Sequence, residues 1–180
     1  MFREIKRVID EGRLGDVHAA TCYLGQEWIT THEDSWRTNP ALSGGGQLYD
    51  SGSHLLDTLL WTLDADPVDV TAAIDDRGND VDVNSALTVT LDRDGDRILS
   101  TVAVSGDGNA PEPTEGLVIW GTDGHVSYLD GTLRIAEADA PEYTADVEQA
   151  SFETITETKL GAFVDAIRTG SPSPVPPEFG

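Results

Sequence analysis

The run Gly44-Gly45-Gly46-Gln47-Leu48-Tyr49-Asp50-Ser51-Gly52-Ser53-His54-Leu55-Leu56-Asp57, continuing through Trp61 to Leu63, decides how this chain is read. A glycine cluster leads into the longest apolar-periodic segment of the sequence, Gln47 to Leu63. At ~100° per residue, Leu48, Gly52, Leu55, Leu56, Leu59 and Leu63 fall on one side of a helix, with Leu60 at its margin. Asp50, His54, Asp57 and Trp61 form a narrow stripe on the other side. A core explains the first face and not the second. An acid and an imidazole four residues apart are neighbours on a helix surface, so the carboxylate can fix the ring's tautomer while the other nitrogen exchanges a proton with a substrate. On spacing alone such a pair is more often a solvated contact contributing ~0.2–0.5 kcal/mol. Trp61 on the same stripe would be a second cover.

The rest of the chain reads as α+β. Phe2, Ile5, Val8 and Ile9 have helical spacing, and Gly12 ends that helix as a C-terminal cap. Strand-like runs follow at Val17 to Leu24, Val68 to Ile74, Val81 to Leu91, Arg97 to Val104, Gly116 to Trp120, His125 to Leu129 and Thr132 to Ala136. Asp94-Gly95, Asp123-Gly124 and Asp130-Gly131 are hairpin dipeptides. Connections this short favour antiparallel neighbours, so the expected fold is an open, mainly antiparallel sheet with helices packed on one face. Alternation in Leu87 to Leu91 and Ile98 to Val104 leaves the other face threonine-rich and available to a partner. Thr154-Ile155-Thr156-Glu157 is a capping box for a last helix carrying Leu160, Phe163, Val164 and Ile167. Residues 1–170 then make one domain, and the Pro-rich stretch 171–180 an extended tail.

Charge excludes several function classes. The 180 residues hold 33 acidic against 11 basic side chains, a formal net charge of -22. Such a surface repels phosphate backbones and anionic membranes, so neither nucleic acid nor membrane is an expected partner. The acidic residues are spread along the chain between apolar runs, which argues against disorder. Self-repulsion on this scale is tolerated where salt screens it, with a Debye length of ~3 Å at 1 M, so the cytoplasm of a salt-accumulating halophile is the expected setting. The lone Cys22 excludes an intrachain disulfide or a cysteine metal cluster, and no histidine pairs at metal-ligand spacing. Asp92-Arg93-Asp94-Gly95-Asp96 has the alternate carboxylates of a calcium loop but lacks its closing glutamate, and reads as a hairpin turn. No metal is expected. His32, in the polar loop Gln26 to Asn39, reads as a surface residue.

Trp36-Arg37, the Gly44 to Asp57 string, Trp61 and Pro67-Val68-Asp69-Val70 together resemble the second domain of the glucose-fructose oxidoreductase and inositol dehydrogenase family, Gfo/Idh/MocA. There the order is W-R, GGG-x-L-x-D-x-G-x-H-x-x-D, an apolar helix, then a P-V-x-V strand. The likeness extends more weakly to Ile5 through Val17 and to Leu160 through Gly170. The resemblance implies hydride transfer between a nicotinamide, NAD or NADP, and a hydroxyl-bearing carbon of a sugar, inositol or related polyol. His54 would be the general base, Asp50 its orienting and electrostatic support, and Asp57 a residue holding the loop or His54 in place. Trp36 and Arg37 would border the substrate, the guanidinium binding a hydroxyl or carboxylate. Gly44, Gly45 and Gly46 would allow close backbone approach.

The family's other half is a Rossmann unit with a Gly-rich dinucleotide loop and a Glu-Lys-Pro lysine, and this sequence shows neither. The expectation is a substrate and assembly half, truncated relative to the family, inactive and without bound cofactor on its own. Its Rossmann partner would be missing or supplied in trans, and two copies would form a homodimer through the sheet. The alternatives are a non-catalytic binding or dimerisation module, or one half of a split enzyme with a separate Rossmann chain.

Overall fold

The computed structural model describes residues 1–108, 113–147 and 151–172. The described residues fall into two compact units, one within Phe2–Asp146 and the other comprising Met1 and the described residues from Val147 onward.

In the larger unit the chain begins with α1 (Phe2–Asp10), β1 (Val17–Gly25) and the short helix α2 (Trp28–Thr31). A 3-10 turn, Trp36–Thr38, leads to α3 (Pro40–Ser43), and a π-helical turn, Leu48–Gly52, runs directly into α4 (Ser53–Leu63). The remaining strands are β2 (Asp66–Asp75), β3 (Asn84–Arg93), β4 (Asp96–Ser105), β5 (Thr114–Gly121), β6 (Gly124–Leu129), β7 (Thr132–Glu137) and β8 (Ala140–Thr144). They make one open eight-stranded sheet in the order β2-β3-β4-β1-β5-β6-β7-β8. Neighbours are antiparallel except β1 and β4, which pair in parallel from Ala19↔Leu99 to Gly25↔Ser105. That pair is joined by a long segment containing α2, α3, α4 and a hairpin, the length a parallel connection needs.

Period-2 burial assigns the two faces. On β4, Ile98, Ser100, Val102 and Val104 are buried while Leu99, Thr101 and Ala103 point outward. Leu87, Val89 and Leu91 of β3, Ala20 and Cys22 of β1, Leu117 and Ile119 of β5 and Val126 of β6 share the inner face with them. Ile5, Val8 and Ile9 of α1 and Leu59 and Leu63 of α4 are buried too, and α1 touches α4, which lies on β1. The core sits there, and it stops short of the edge: β2 is exposed along its whole length. On the outer face, Thr71, Thr88, Thr101 and Thr21 stand in register across four strands, with the last two hydroxyls 2.7 Å apart.

Asp94-Gly95 and Asp130-Gly131 form hairpin turns as expected, both residues of each having positive φ, 55° and 95° and then 44° and 85°. Asp123-Gly124 also lies in a hairpin, β5 to β6, but its turn is Thr122-Asp123 and Gly124 already opens β6, where a β-carbon would overlap the carbonyl oxygen of Ala136. The strand β8 was not anticipated, since its Pro141 argues against a strand except at an edge, and β8 is the edge.

In the smaller unit, α5 spans Phe152–Thr169. Its cap is Ser151, whose hydroxyl accepts from the Thr154 N–H at 3.2 Å, so the expected Thr154 capping box lies inside the helix. A cap three residues upstream had already satisfied that amide. Gly170, with φ of 65°, ends the helix as expected. Of the Pro-rich tail, residues 173–180 lie outside the described residues.

Candidate functional site

The periodic segment is helical, but its opening is not α-helical. The i→i+5 bonding of the Leu48–Gly52 turn widens the coil, so residues four apart no longer stand one above the other. Contacts with Asp82 and with β4 enforce this shape. A β-carbon on Gly46 would overlap the carbonyl oxygen of Asp82, and one on Gly52 would press on Leu48 and on Val104 of β4. The Asp82 carboxylate accepts the backbone N–H groups of Gly46 and Leu48, each at 2.7 Å, and the Asp82 carbonyl accepts that of Gln47 at 3.0 Å. A carboxylate at the positive end of a helical segment is electrostatically favoured as well. Asp82 therefore holds the loop, and Asp57 is exposed on α4. Only the structure reveals Asp82, because it precedes β3 by two residues and carries no motif.

The three glycines have separate tasks. Gly44, with φ of 81°, is the left-handed C-cap of α3. Gly45 lies under the ring of Tyr49, and Gly46 lies on Asp82. None opens a strand-turn-helix phosphate cradle, so these three glycines do not form a dinucleotide loop.

A pocket of ≈ 250 Å³ is lined by Trp28, Trp36, Arg37, Ser43, Gly45, Tyr49, Asp50, Ser53 and His54. Folding thus brings together Trp36, Arg37, Gly45, Asp50 and His54, while Asp57, Gly44 and Gly46 are not on its wall. Trp61 is elsewhere: it faces α1, where the Lys6 ammonium stands 5.7 Å from its ring. The expected second cover is therefore absent from that wall, because two further turns of α4 carry Trp61 away. Tyr49, at 68% exposure, lines the pocket together with Trp36 at 53%.

Polar contacts converge on Asp50. The Trp28 indole Nε1–H donates to Asp50 Oδ2 at 2.9 Å, and the Arg37 Nε–H donates to the same oxygen at 3.1 Å. Arg37 also stacks on its neighbour, its guanidinium carbon 4.6 Å from the centre of the Trp36 ring. Ser35 caps the 3-10 turn by accepting the Arg37 backbone N–H at 3.2 Å. The guanidinium expected to meet a ligand is thus partly committed to Asp50. Among the described residues no hydrogen bond joins Asp50 to His54, whose exposed ring has no protein partner there. His32 packs edge-on against Trp28, ring centres 5.4 Å apart.

Sequence reasoning missed Trp28 because the segment around it looks like a polar loop, whereas a four-residue helix buries that one aromatic to 3% exposure. Its Trp28-x-x-x-His32 spacing was the available signal. Among the described residues no group of acidic, histidine or cysteine side chains is arranged to hold a metal, and no described helix is long and apolar enough to cross a membrane. The Asp92 to Asp96 stretch is a hairpin turn, the Gly95 N–H donating to Asp92 Oδ1 at 3.2 Å.

The sequence pattern of the GFO/IDH/MocA C-terminal domain matches residues 2–127, which include the whole pocket. The chain belongs to that family. No curated protein sequence matches it. Among solved structures, an oxidoreductase domain protein from Kribbella flavida superposes with a TM-score of 0.82 at 16% identity, over 99% of this chain and 57% of that one. Levoglucosan dehydrogenase in complex with NADH gives 0.81 at 18% identity, over 97% and 55%. An aldose-aldose oxidoreductase from Caulobacter crescentus, complexed with glycerol, gives 0.78 at 19% identity, over 99% and 53%. At these identities the likeness establishes the fold. The chain spans about half the length of the structures it matches.

Proposed function

We propose that this GFO/IDH/MocA domain is the substrate-binding and assembly half of an NAD(P)-dependent oxidoreductase acting on a hydroxyl of a sugar, inositol or related polyol. The observation that carries the reading is the shared pocket: an imidazole without a protein partner, a fixed carboxylate and two exposed aromatic rings line one wall. Aromatic faces suit the C–H faces of a sugar ring, and a few placed polar groups give orientation. The pocket is below the ~300–1,000 Å³ of a complete small-molecule site, which fits a wall that a second domain would close. Two structural neighbours point the same way, one being a levoglucosan dehydrogenase solved with NADH and the other an aldose-aldose oxidoreductase solved with glycerol.

In this reading His54 takes the proton from the substrate hydroxyl during oxidation. Asp50 supplies a nearby negative charge that favours the imidazolium formed. Trp36 and Tyr49 hold the ring of the substrate, with Arg37 setting the position of Asp50. Asp57, exposed one turn further along α4, adds negative charge on the same helix as His54. The nicotinamide belongs to the half that carries the dinucleotide loop, and it supplies the hydride acceptor. The acidic surface suits a salt-rich cytoplasm, and the outer sheet face suits a homodimer. The test is reconstitution: joined to, or mixed with, a family Rossmann half, the chain should support NAD(P)-dependent oxidation of a polyol, while alone it should neither bind NAD(P) with micromolar affinity nor turn over. Micromolar NAD(P) binding to this chain by calorimetry refutes the division of labour.

A further inference from the structure

Trp28 differs from the other three tryptophans of the chain: it is 3% exposed, against 38% or more for Trp36, Trp61 and Trp120. Its helix has only four residues, too few to be stable alone, yet it is fixed at both ends. The backbone N–H groups of Trp28 and Ile29 both donate to the Gly106 carbonyl, at 3.0 and 2.9 Å, just past the end of β4. The His32 N–H closes the turn onto the Trp28 carbonyl at 3.0 Å. A buried indole has one polar atom and that atom needs an acceptor; here the acceptor is Asp50 Oδ2. Arg37, arriving from the 3-10 turn on the other side, donates to the same oxygen.

Two donors on Oδ2 fix the plane of the carboxylate and leave Oδ1 with no partner among the described residues, in a side chain that lines the pocket. An ionised carboxylate accepts hydroxyl hydrogens through short, strong bonds. Resting on the polyol reading above, we infer that Trp28 is a positioning residue of the site. With Arg37 it commits Oδ2, so that Oδ1 is the acceptor for a second hydroxyl of the substrate, in addition to the one facing His54. The substrate then needs a hydroxyl placed to reach Oδ1 as well as the one facing His54, and Trp28 acts on this selectivity through Asp50.

The experiment uses this chain as it is. D-Glucose, D-galactose and myo-inositol, each with its monodeoxy derivatives, are titrated while the His54 ring C–H signals are followed by NMR. For wild type, at least one parent compound is expected to bind, and deleting one particular hydroxyl should weaken it by ~10- to 100-fold, the range for a hydrogen bond to a charged group. Trp28→Phe keeps an aromatic ring and removes the N–H; it should collapse that ratio to about three-fold or less while the deoxy compound binds as it does to wild type. An unchanged ratio, or equal weakening of both compounds, overturns the assignment and leaves Trp28 a structural residue. If Trp28→Phe fails to fold, Asp50→Ala decides: it removes the Oδ1 acceptor altogether, so the ratio should collapse there as well, and its survival overturns the inference. A panel in which no compound moves the His54 signals of wild type refutes the polyol site itself, an outcome distinct from intact binding with unaltered selectivity.

Discussion

Gly46 lies against Asp82 so closely that a β-carbon on it would overlap the Asp82 carbonyl oxygen. This contact sets where the Leu48–Gly52 turn begins, and hence where Asp50 and His54 stand. Gly46→Ala must displace backbone and not a flexible side chain, so a loss of ~1–3 kcal/mol or more is expected. Asp82→Ala removes two charge-assisted acceptor contacts at 2.7 Å and should cost ~1.5–3 kcal/mol. Urea titration followed by circular dichroism measures both. Wild-type midpoints would mean that the glycine loop does not depend on Asp82.

In the reconstituted enzyme, His54→Ala should lower kcat by roughly 10²–10⁴-fold, the contribution of a positioned acid-base group. Single-turnover kinetics with a polyol substrate reads it directly. An undiminished kcat would reduce His54 to an ordinary exposed histidine.

The sheet and the two long helices of residues 2–146 were legible because their signals are periodic: alternation on β4 and 3.6-residue spacing on α1 and α4 report burial directly. The start of the central helix was not. Its π turn is imposed by Gly46 on Asp82 and Gly52 on Val104, contacts between residues distant in sequence that no local pattern records. The same holds within the site. Asp50 and His54 could be paired on paper because they share a stretch of sequence, while the partners that hold Asp50, Trp28 and Arg37, come from separate short turns placed beside it by the parallel β1–β4 connection.

Cys22 sits under α4 on β1 at 1% exposure, and burial pushes its thiol up to about 12. An acid group raised in this way contributes to stability below the unfolded thiol's ~8.5 and loses that contribution progressively as pH climbs toward the folded value. A thiol reagent at about pH 8 should therefore label the native chain only as fast as it opens, and label it at once in denaturant. Rapid native labelling would place Cys22 nearer solvent than this packing allows.

Arg13 ties the turn after α1 to the far edge of the sheet, donating to Glu137 at 2.7 and 3.1 Å and to the Tyr143 hydroxyl at 2.6 Å. The guanidinium holds the Glu137 carboxyl below its usual value. A depressed carboxylate contributes above the unfolded value of ~4.3 and is lost as pH falls through the lower folded one. Glu137→Gln should thus shrink the fall in melting temperature between about pH 6 and about pH 3, with wild type and variant converging at the acid end. Curves that stay parallel throughout would show that this tie does not titrate.

The outer sheet face bears on association. Thr71, Thr88, Thr101 and Thr21 form a row across four adjacent strands, flanked by a second row, Ala73, Ala86 and Ala103, of small side chains. Leu99 and Trp120 are exposed beside them. Rows of short side chains make a flat surface on which a second copy can lie closely, and stable interfaces of this kind cover ~1,200–2,000 Å² in total. Against this stands the net charge of -22 on each copy, whose mutual repulsion grows as salt is removed and the Debye length rises from ~3 Å at 1 M to ~10 Å at 0.1 M. The expected result in sedimentation velocity is a dimer in molar salt that dissociates on desalting. Thr101→Arg, at the centre of the threonine row, should give a monomer at both salt concentrations with an unchanged circular dichroism spectrum, because the side chain points away from the core. A wild-type monomer in high salt would remove this face as an interface, and a dimer that tightens on desalting would show that something other than charge repulsion governs it.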